Sequence, residues 1–137
     1  MDPSDPLTAG LGATFRCPVS RHAEVAADDV PWRRGLDCLA QSSQSGLCLV
    51  ADAPRNAHYM FNHLEYDADA LKREYLRDRR RRMDVSVPQN YLPNDDVSKA
   101  PPLVWRQPAE KLFANWLAML AARRRARPAA DLGRSAA

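Results

Sequence analysis

His63 and Glu65 flank a single residue in the run Phe61-Asn62-His63-Leu64-Glu65-Tyr66-Asp67, where a strand-like pattern stops and helix signals begin. At that spacing the carboxylate can turn back and accept an imidazole N–H. Such a bond fixes the ring tautomer and stabilises the imidazolium formed when the ring takes a proton. A histidine oriented this way is a general base in need of a nucleophile, usually Cys or Ser. By itself His-x-Glu is a weak pattern, met more often by surface or structural histidines. The cysteines, Cys17, Cys38 and Cys48, are odd in number and form no C-x-x-C, which argues against a disulfide framework or a structural zinc site. Cys38 and Cys48 fall inside strand-like runs, where thiols are inert core groups. His22 and His58 read as ordinary polar residues. No G-x-G-x-x-G or G-x-x-x-x-G-K-[ST] occurs, so no glycine-rich phosphate cradle is present, and neither a bound cofactor nor a metal is expected.

The elements that must position these groups follow from the pattern around them. Three strand-like runs come in succession, Leu36–Gln41, Leu47–Ala51 and Ala57–Asn62, parted by a Ser/Gln/Gly turn and an Asp-Ala-Pro-Arg-Asn turn. Such spacing predicts a meander. In open α/β sheets ligands bind beyond the carboxyl ends of strands, which is where His63 would sit. Asp67 is placed to cap a helix starting at Ala68, with Leu71, Tyr75 and Leu76 as its buried stripe. Pro88, Pro93, Pro101 and Pro102 forbid a long helix between residues 84 and 106, and Tyr91 and Trp105 predict that this loop is docked. A second helix follows Pro108. Its Ala109, Leu112, Phe113, Trp116, Leu117 and Leu120 follow the spacing of one apolar core face. The fold class read from these elements is α/β, a short strand meander plus two main helices. Residues 1–10 read as a flexible lead-in and 125–137 as a frayed tail, leaving one domain over 11–124.

The composition narrows the function classes. In 137 residues, 20 Lys and Arg oppose 17 Asp and Glu, a net charge of +3. Arg79 to Arg82 form the only dense basic run before the C-terminal region, and they raise the alternative of a small basic nucleic-acid-binding module. Four adjacent helical residues point around the whole cylinder, and no stacking aromatics accompany them, so a solvated helix end is the plainer reading. No apolar run approaches the length of a spanning helix. The opening Met-Asp-Pro-Ser-Asp-Pro has neither basic nor apolar signal-peptide character, so a cytoplasmic protein is expected.

His63-Leu64-Glu65-Tyr66-Asp67, followed by Arg77-Asp78, resembles the signature of the homoserine O-acyltransferases, which include the homoserine O-succinyltransferases of methionine biosynthesis. Pro18-Val19-Ser20-Arg21, Pro88-Gln89-Asn90-Tyr91-Leu92-Pro93, Trp105-Arg106 and Leu112-Phe113-Ala114-Asn115-Trp116-Leu117 resemble further segments of that family in the same order. The match covers residues 8–122 and reaches only the family's C-terminal part. Leu64 and Asn62 depart from the Pro and Gly common there. The resemblance implies a partial class I glutamine amidotransferase-like (flavodoxin-like) fold. It implies a reaction in which an acyl group passes from acyl-CoA, as succinyl-CoA or acetyl-CoA, to a cysteine and then to the homoserine hydroxyl. By motif, His63 is the base, Glu65 its partner, Arg77 the holder of the homoserine carboxylate, and Ser20 a substrate contact. The nucleophilic cysteine, its oxyanion hole and a substrate-binding lysine belong to the part not matched. The alternative within the family is a non-catalytic remnant or split subunit. The partners implied are homoserine and acyl-CoA, with a homodimer or a separately encoded N-terminal half as macromolecular partners. A partial sheet leaves an unpaired edge, so marginal stability or association is expected.

Overall fold

Short apolar runs joined by tight polar turns fold here into a hairpin meander. The computed structural model describes residues 1–126. Strands β1 (Leu36–Ser42), β2 (Gly46–Asp52) and β3 (Ala57–Met60) form one antiparallel sheet in the order β1-β2-β3. Helices α1 (Ala70–Arg80) and α2 (Arg106–Ala126) follow, with single 3-10 turns at Ala27–Asp29, Ala53–Arg55 and Pro93–Asp95. The chain is therefore a small α/β unit. Gly46 closes the first hairpin at φ +62, a left-handed conformation that favours glycine. The second turn is held by Asp52, whose carboxylate accepts the Arg55 N–H, while Asn56 takes the left-handed position after it.

β2 is the centre of the structure: Leu47 through Asp52 are all buried. It pairs with β1 from Leu36↔Asp52 to Ser42↔Gly46, with the register shifting around Leu39 and Ala40. It pairs with β3 from Leu49↔Met60 to Asp52↔Ala57. Leu7, Leu39, Leu49, Leu64, Tyr91, Trp105, Ala109 and Leu112 belong to one core cluster on this sheet. The proline-rich loop is docked through Tyr91 and Trp105, whose rings stack with centroids 6.2 Å apart.

Three sequence expectations change. Residues 1–10 are packed instead of loose: Leu7 and Thr8 are buried, and the Asn115 side-chain amide donates to the Leu7 and Ala9 carbonyls at 2.9 and 2.8 Å. An apolar Leu with its neighbouring carbonyls satisfied from a helix has a reason to stay down. The sheet is antiparallel throughout the described residues, as a meander requires, and His63 follows the carboxyl end of β3. Helix α1 begins at Ala70, not Ala68, because the Asp67 carboxylate is engaged by the Asp69 N–H and by both oxygens on the Arg73 guanidinium. Lastly, the apolar face of α2 is buried only at its start. Ala109 and Leu112 are core residues, whereas Trp116, Leu117 and Leu120 are 43%, 59% and 41% exposed. The core cluster takes in Ala109 and Leu112 of α2, with Phe113 and Met119 partly buried against it, and does not reach Trp116, Leu117 or Leu120. The proposed tail over 125–137 lies outside the described residues beyond Ala126.

Two predictions follow from the packing. Leu49→Ala in the central strand lowers unfolding free energy by roughly 2–5 kcal/mol in urea titration. Burial works against the Asp52 carboxylate, but Arg55, through its side chain and its N–H, and Arg33 overcome this and hold the carboxyl below its ordinary range. The contribution is fully present above the ordinary aspartate value and is lost as pH falls through the depressed one. Thermal melts therefore show stability dropping below about pH 4, and Asp52→Asn lowers Tm at neutral pH while making the acid loss shallower.

Candidate functional site

The site begins where the chain leaves β3. The Phe61 N–H donates to the Cys48 carbonyl at 2.9 Å and the His63 N–H donates to the Pro18 carbonyl at 2.9 Å. The first bond carries the β3 pairing one step further. The second hands the chain to the segment that contains Cys17 and Ser20. Leu64 then turns into the core at 2% exposure, which forces its neighbours His63 and Glu65 outward on the other side of the chain. The next bond is fixed from the docked loop, as Trp105 Nε1 donates to the Tyr66 carbonyl at 2.8 Å.

On this turn the His63 ring lies between two oxygens. Nδ1 is 2.7 Å from Glu65 Oε1 and Nε2 is 3.2 Å from the Ser20 carbonyl oxygen. Both ring nitrogens face acceptors, an arrangement satisfied in full by the imidazolium. Beneath the ring lies Tyr66, stacked with centroids 4.3 Å apart and planes at 19°. The Tyr66 hydroxyl donates to Glu74 Oε1 at 2.8 Å. Burial and the Glu74 carboxylate push this phenol up to about 12.

Ser20, His63 and Glu65 are thus brought together. Arg77 is placed one helical turn beyond Glu74 on α1, not on the His63 ring. Its Nε and Nη2 donate to Asp78 Oδ1 and Oδ2 at 2.7 and 3.0 Å. The Arg77 guanidinium holds the buried Asp78 carboxyl below its usual range. The other edge of the guanidinium, Nη1 with Nη2, is the one a carboxylate ligand would use. Beside the His63 turn opens a cavity of about 920 Å³, whose lining includes Cys17, Cys48, Asn62, Tyr91 and Trp105.

Neither neighbouring thiol touches the His63 ring nitrogens. Cys17 is pushed up by the hydrogen bond it shares with Cys48 and by burial, the reverse of what activates a nucleophile. Cys48 is 6% exposed. Arg79 through Arg82 are all exposed at and after the end of α1. Sequence reasoning quoted Tyr66 and Asp78 in the motif without giving them a role, and missed Glu74. The i, i+3 spacing of His63 and Tyr66 is a usable signal for the first. The Tyr66–Glu74 contact spans a turn and a helix start, and no spacing rule reveals it.

The family model described as Homoserine O-succinyltransferase matches residues 1–126. The chain belongs to this family. A homoserine O-acetyltransferase of Synechococcus sp. is 48% identical over 116 residues, which is 85% of this chain and 39% of the relative. Homoserine O-acetyltransferases of Chelativorans sp. and Brucella canis are 43% and 42% identical over 115 residues. These matches cover 84% of this chain, and 37% and 38% of those relatives. The chain therefore spans well under half the length of the family members it matches. Among the described residues no helix is long and apolar enough to cross a membrane.

The thiol environment gives a direct check. At pH 7.5 iodoacetamide alkylates Cys17 in the folded chain more than about tenfold slower than in the urea-unfolded chain, as read by peptide mass mapping. Faster alkylation of Cys17 in the folded chain contradicts its description as an unactivated thiol.

Proposed function

We propose that this chain carries the base-bearing part of a homoserine O-acyltransferase of methionine biosynthesis. The observation that supports it most is the His63–Glu65 pair at 2.7 Å, set opposite Ser20 in a chain of this family. In the reading, a cysteine thiolate outside this chain takes the acyl group from acetyl-CoA or succinyl-CoA as a thioester and releases CoA. His63 Nε2 then accepts the proton of the homoserine hydroxyl as its oxygen attacks the thioester carbon. The tetrahedral intermediate collapses, expelling the thiolate and leaving O-acylhomoserine. The imidazolium is stabilised through Nδ1–H by Glu65. For this to happen Nε2 exchanges the Ser20 carbonyl for the substrate hydroxyl. Arg77 holds the homoserine carboxylate with the guanidinium edge that Asp78 leaves open, and the Ser20 hydroxyl lines the same approach.

The remainder of the catalytic apparatus comes from a class I glutamine amidotransferase-like (flavodoxin-like) portion that this meander completes. Where the same polypeptide does not carry it, a separately encoded N-terminal half supplies it, and the acyl-CoA donor makes the reaction a cytoplasmic one. The exposed Trp116, Leu117 and Leu120 support a missing packing partner, since a contiguous apolar patch on a surface helix marks an interaction site. The same short span keeps a second reading in view, a non-catalytic remnant of the family.

The test combines the chain with the part of the Synechococcus relative that precedes its matched region, with homoserine and acetyl-CoA or succinyl-CoA. CoA release and O-acylhomoserine mass are expected from the mixture and not from either part alone, and His63→Ala lowers the rate by at least about 100-fold. Turnover by this chain alone, lost in His63→Ala, overturns the placement of the nucleophile outside it. Absence of turnover in a mixture whose parts are folded and associated favours the remnant.

A further inference from the structure

A base that must change partners at Nε2 needs its ring plane held by something other than its hydrogen bonds. Glu65 does not suffice alone, because its side chain is 51% exposed and water competes for it. The face of Tyr66 lies 4.3 Å beneath the imidazole and nearly parallel to it. Tyr66 is itself tied at both ends. Its carbonyl is held by Trp105 Nε1 at 2.8 Å, and its hydroxyl by Glu74 Oε1 at 2.8 Å. Glu74 Oε2 is buried with no partner, so the contact with the phenol is the recorded hydrogen bond of this carboxylate. Glu74 also stands at i−3 from Arg77, on the same face of α1.

We propose that Tyr66, clamped by Glu74, is a positioning residue that holds the His63 ring in line with Glu65 and sets the spacing between His63 and Arg77. Two physical effects act together. The stacked ring denies the imidazole rotation, and its negative face attracts the positive charge that appears on His63 during proton transfer. Donation of the phenol proton toward a carboxylate increases the electron density of that face. The clamp also ties the His63 turn to the helix that bears Arg77, so the base and the guanidinium move as one unit. The inference rests on His63 being the base, and its test does not require acyl transfer.

The experiment is side-chain ¹⁵N NMR of His63 in the ¹⁵N-labelled chain, with Tyr66→Leu, Tyr66→Phe and Glu74→Gln. The parent chain is expected to show a slowly exchanging Nδ1–H proton and one dominant ring state. Tyr66→Leu speeds exchange of that proton by at least about tenfold and gives the averaged ¹⁵N pattern of a freely rotating imidazole. Tyr66→Phe keeps the stack but loses the clamp, and falls between. Glu74→Gln, which retains an acceptor oxygen, restores most of the parent signal. Amide shifts of Leu47–Ala51 report that the sheet is intact. If Tyr66→Leu does not fold, Tyr66→Phe decides: faster exchange than the parent supports the clamp. An unchanged Nδ1–H signal in either folded variant overturns the proposal, and leaves the reading of His63 as base to be judged by the transfer assay alone.

Discussion

The structure depends on how the chain leaves the sheet at residue 61 without stranding its backbone. A strand end carries N–H and C=O groups that must find partners. Here the Phe61 and His63 N–H groups take the Cys48 and Pro18 carbonyls, and the Tyr66 carbonyl takes the Trp105 indole N–H. These bonds join β2, the 17–20 segment and the proline-rich loop around one turn. Because the backbone there is fixed from three directions, the side chains of His63, Glu65 and Tyr66 have defined places. Leu64 supplies the apolar anchor, buried at 2% exposure in the core cluster.

Charge is arranged around the same frame. Asp52 sits at the end of the central strand with Arg33 and Arg55 on its oxygens at 3.0 and 2.9 Å. It closes the β2–β3 turn from a buried position, where an unpaired carboxylate would be costly. Asp78 plays a comparable part on α1, turning Arg77 so that one edge of the guanidinium is occupied and the other faces away. The guanidinium is then held in one orientation by two hydrogen bonds to a single carboxylate. Arg79 to Arg82 have no such partners within the frame. Their place at the helix C-terminus is explained by the helix dipole.

The two ends of the molecule differ in completeness. The first turns of α2 join the core cluster through Ala109 and Leu112, while the later turns carry Trp116, Leu117 and Leu120 into solvent. In an independent domain such a face is a liability for aggregation. In a chain that spans 39% of a relative's length it is the expected edge of a larger body. The His63 turn is held from within, because among the described residues its contacts come from Pro18, Ser20, Glu65, Tyr66 and Trp105.

The sequence by itself determined the local features. Alternating apolar residues and turn residues specified three strands close to their observed bounds, Pro108 and the apolar spacing specified α2, and the spacing of His63 and Glu65 specified a hydrogen bond between them. These are short-range matters of backbone preference and reach. Tertiary structure decided the rest. Whether the α2 stripe is core depended on how much of it the core cluster reaches, which no helical period encodes. Whether residues 1–10 are loose depended on Asn115, more than a hundred positions away. The neighbourhood of Tyr66, Glu74 and Arg77 depended on the angle at which α1 leaves the His63 turn. The Tyr91 hydroxyl meets the Ala68 carbonyl and the Lys72 N–H at the start of α1, and packing is a property of the folded whole, not of any segment.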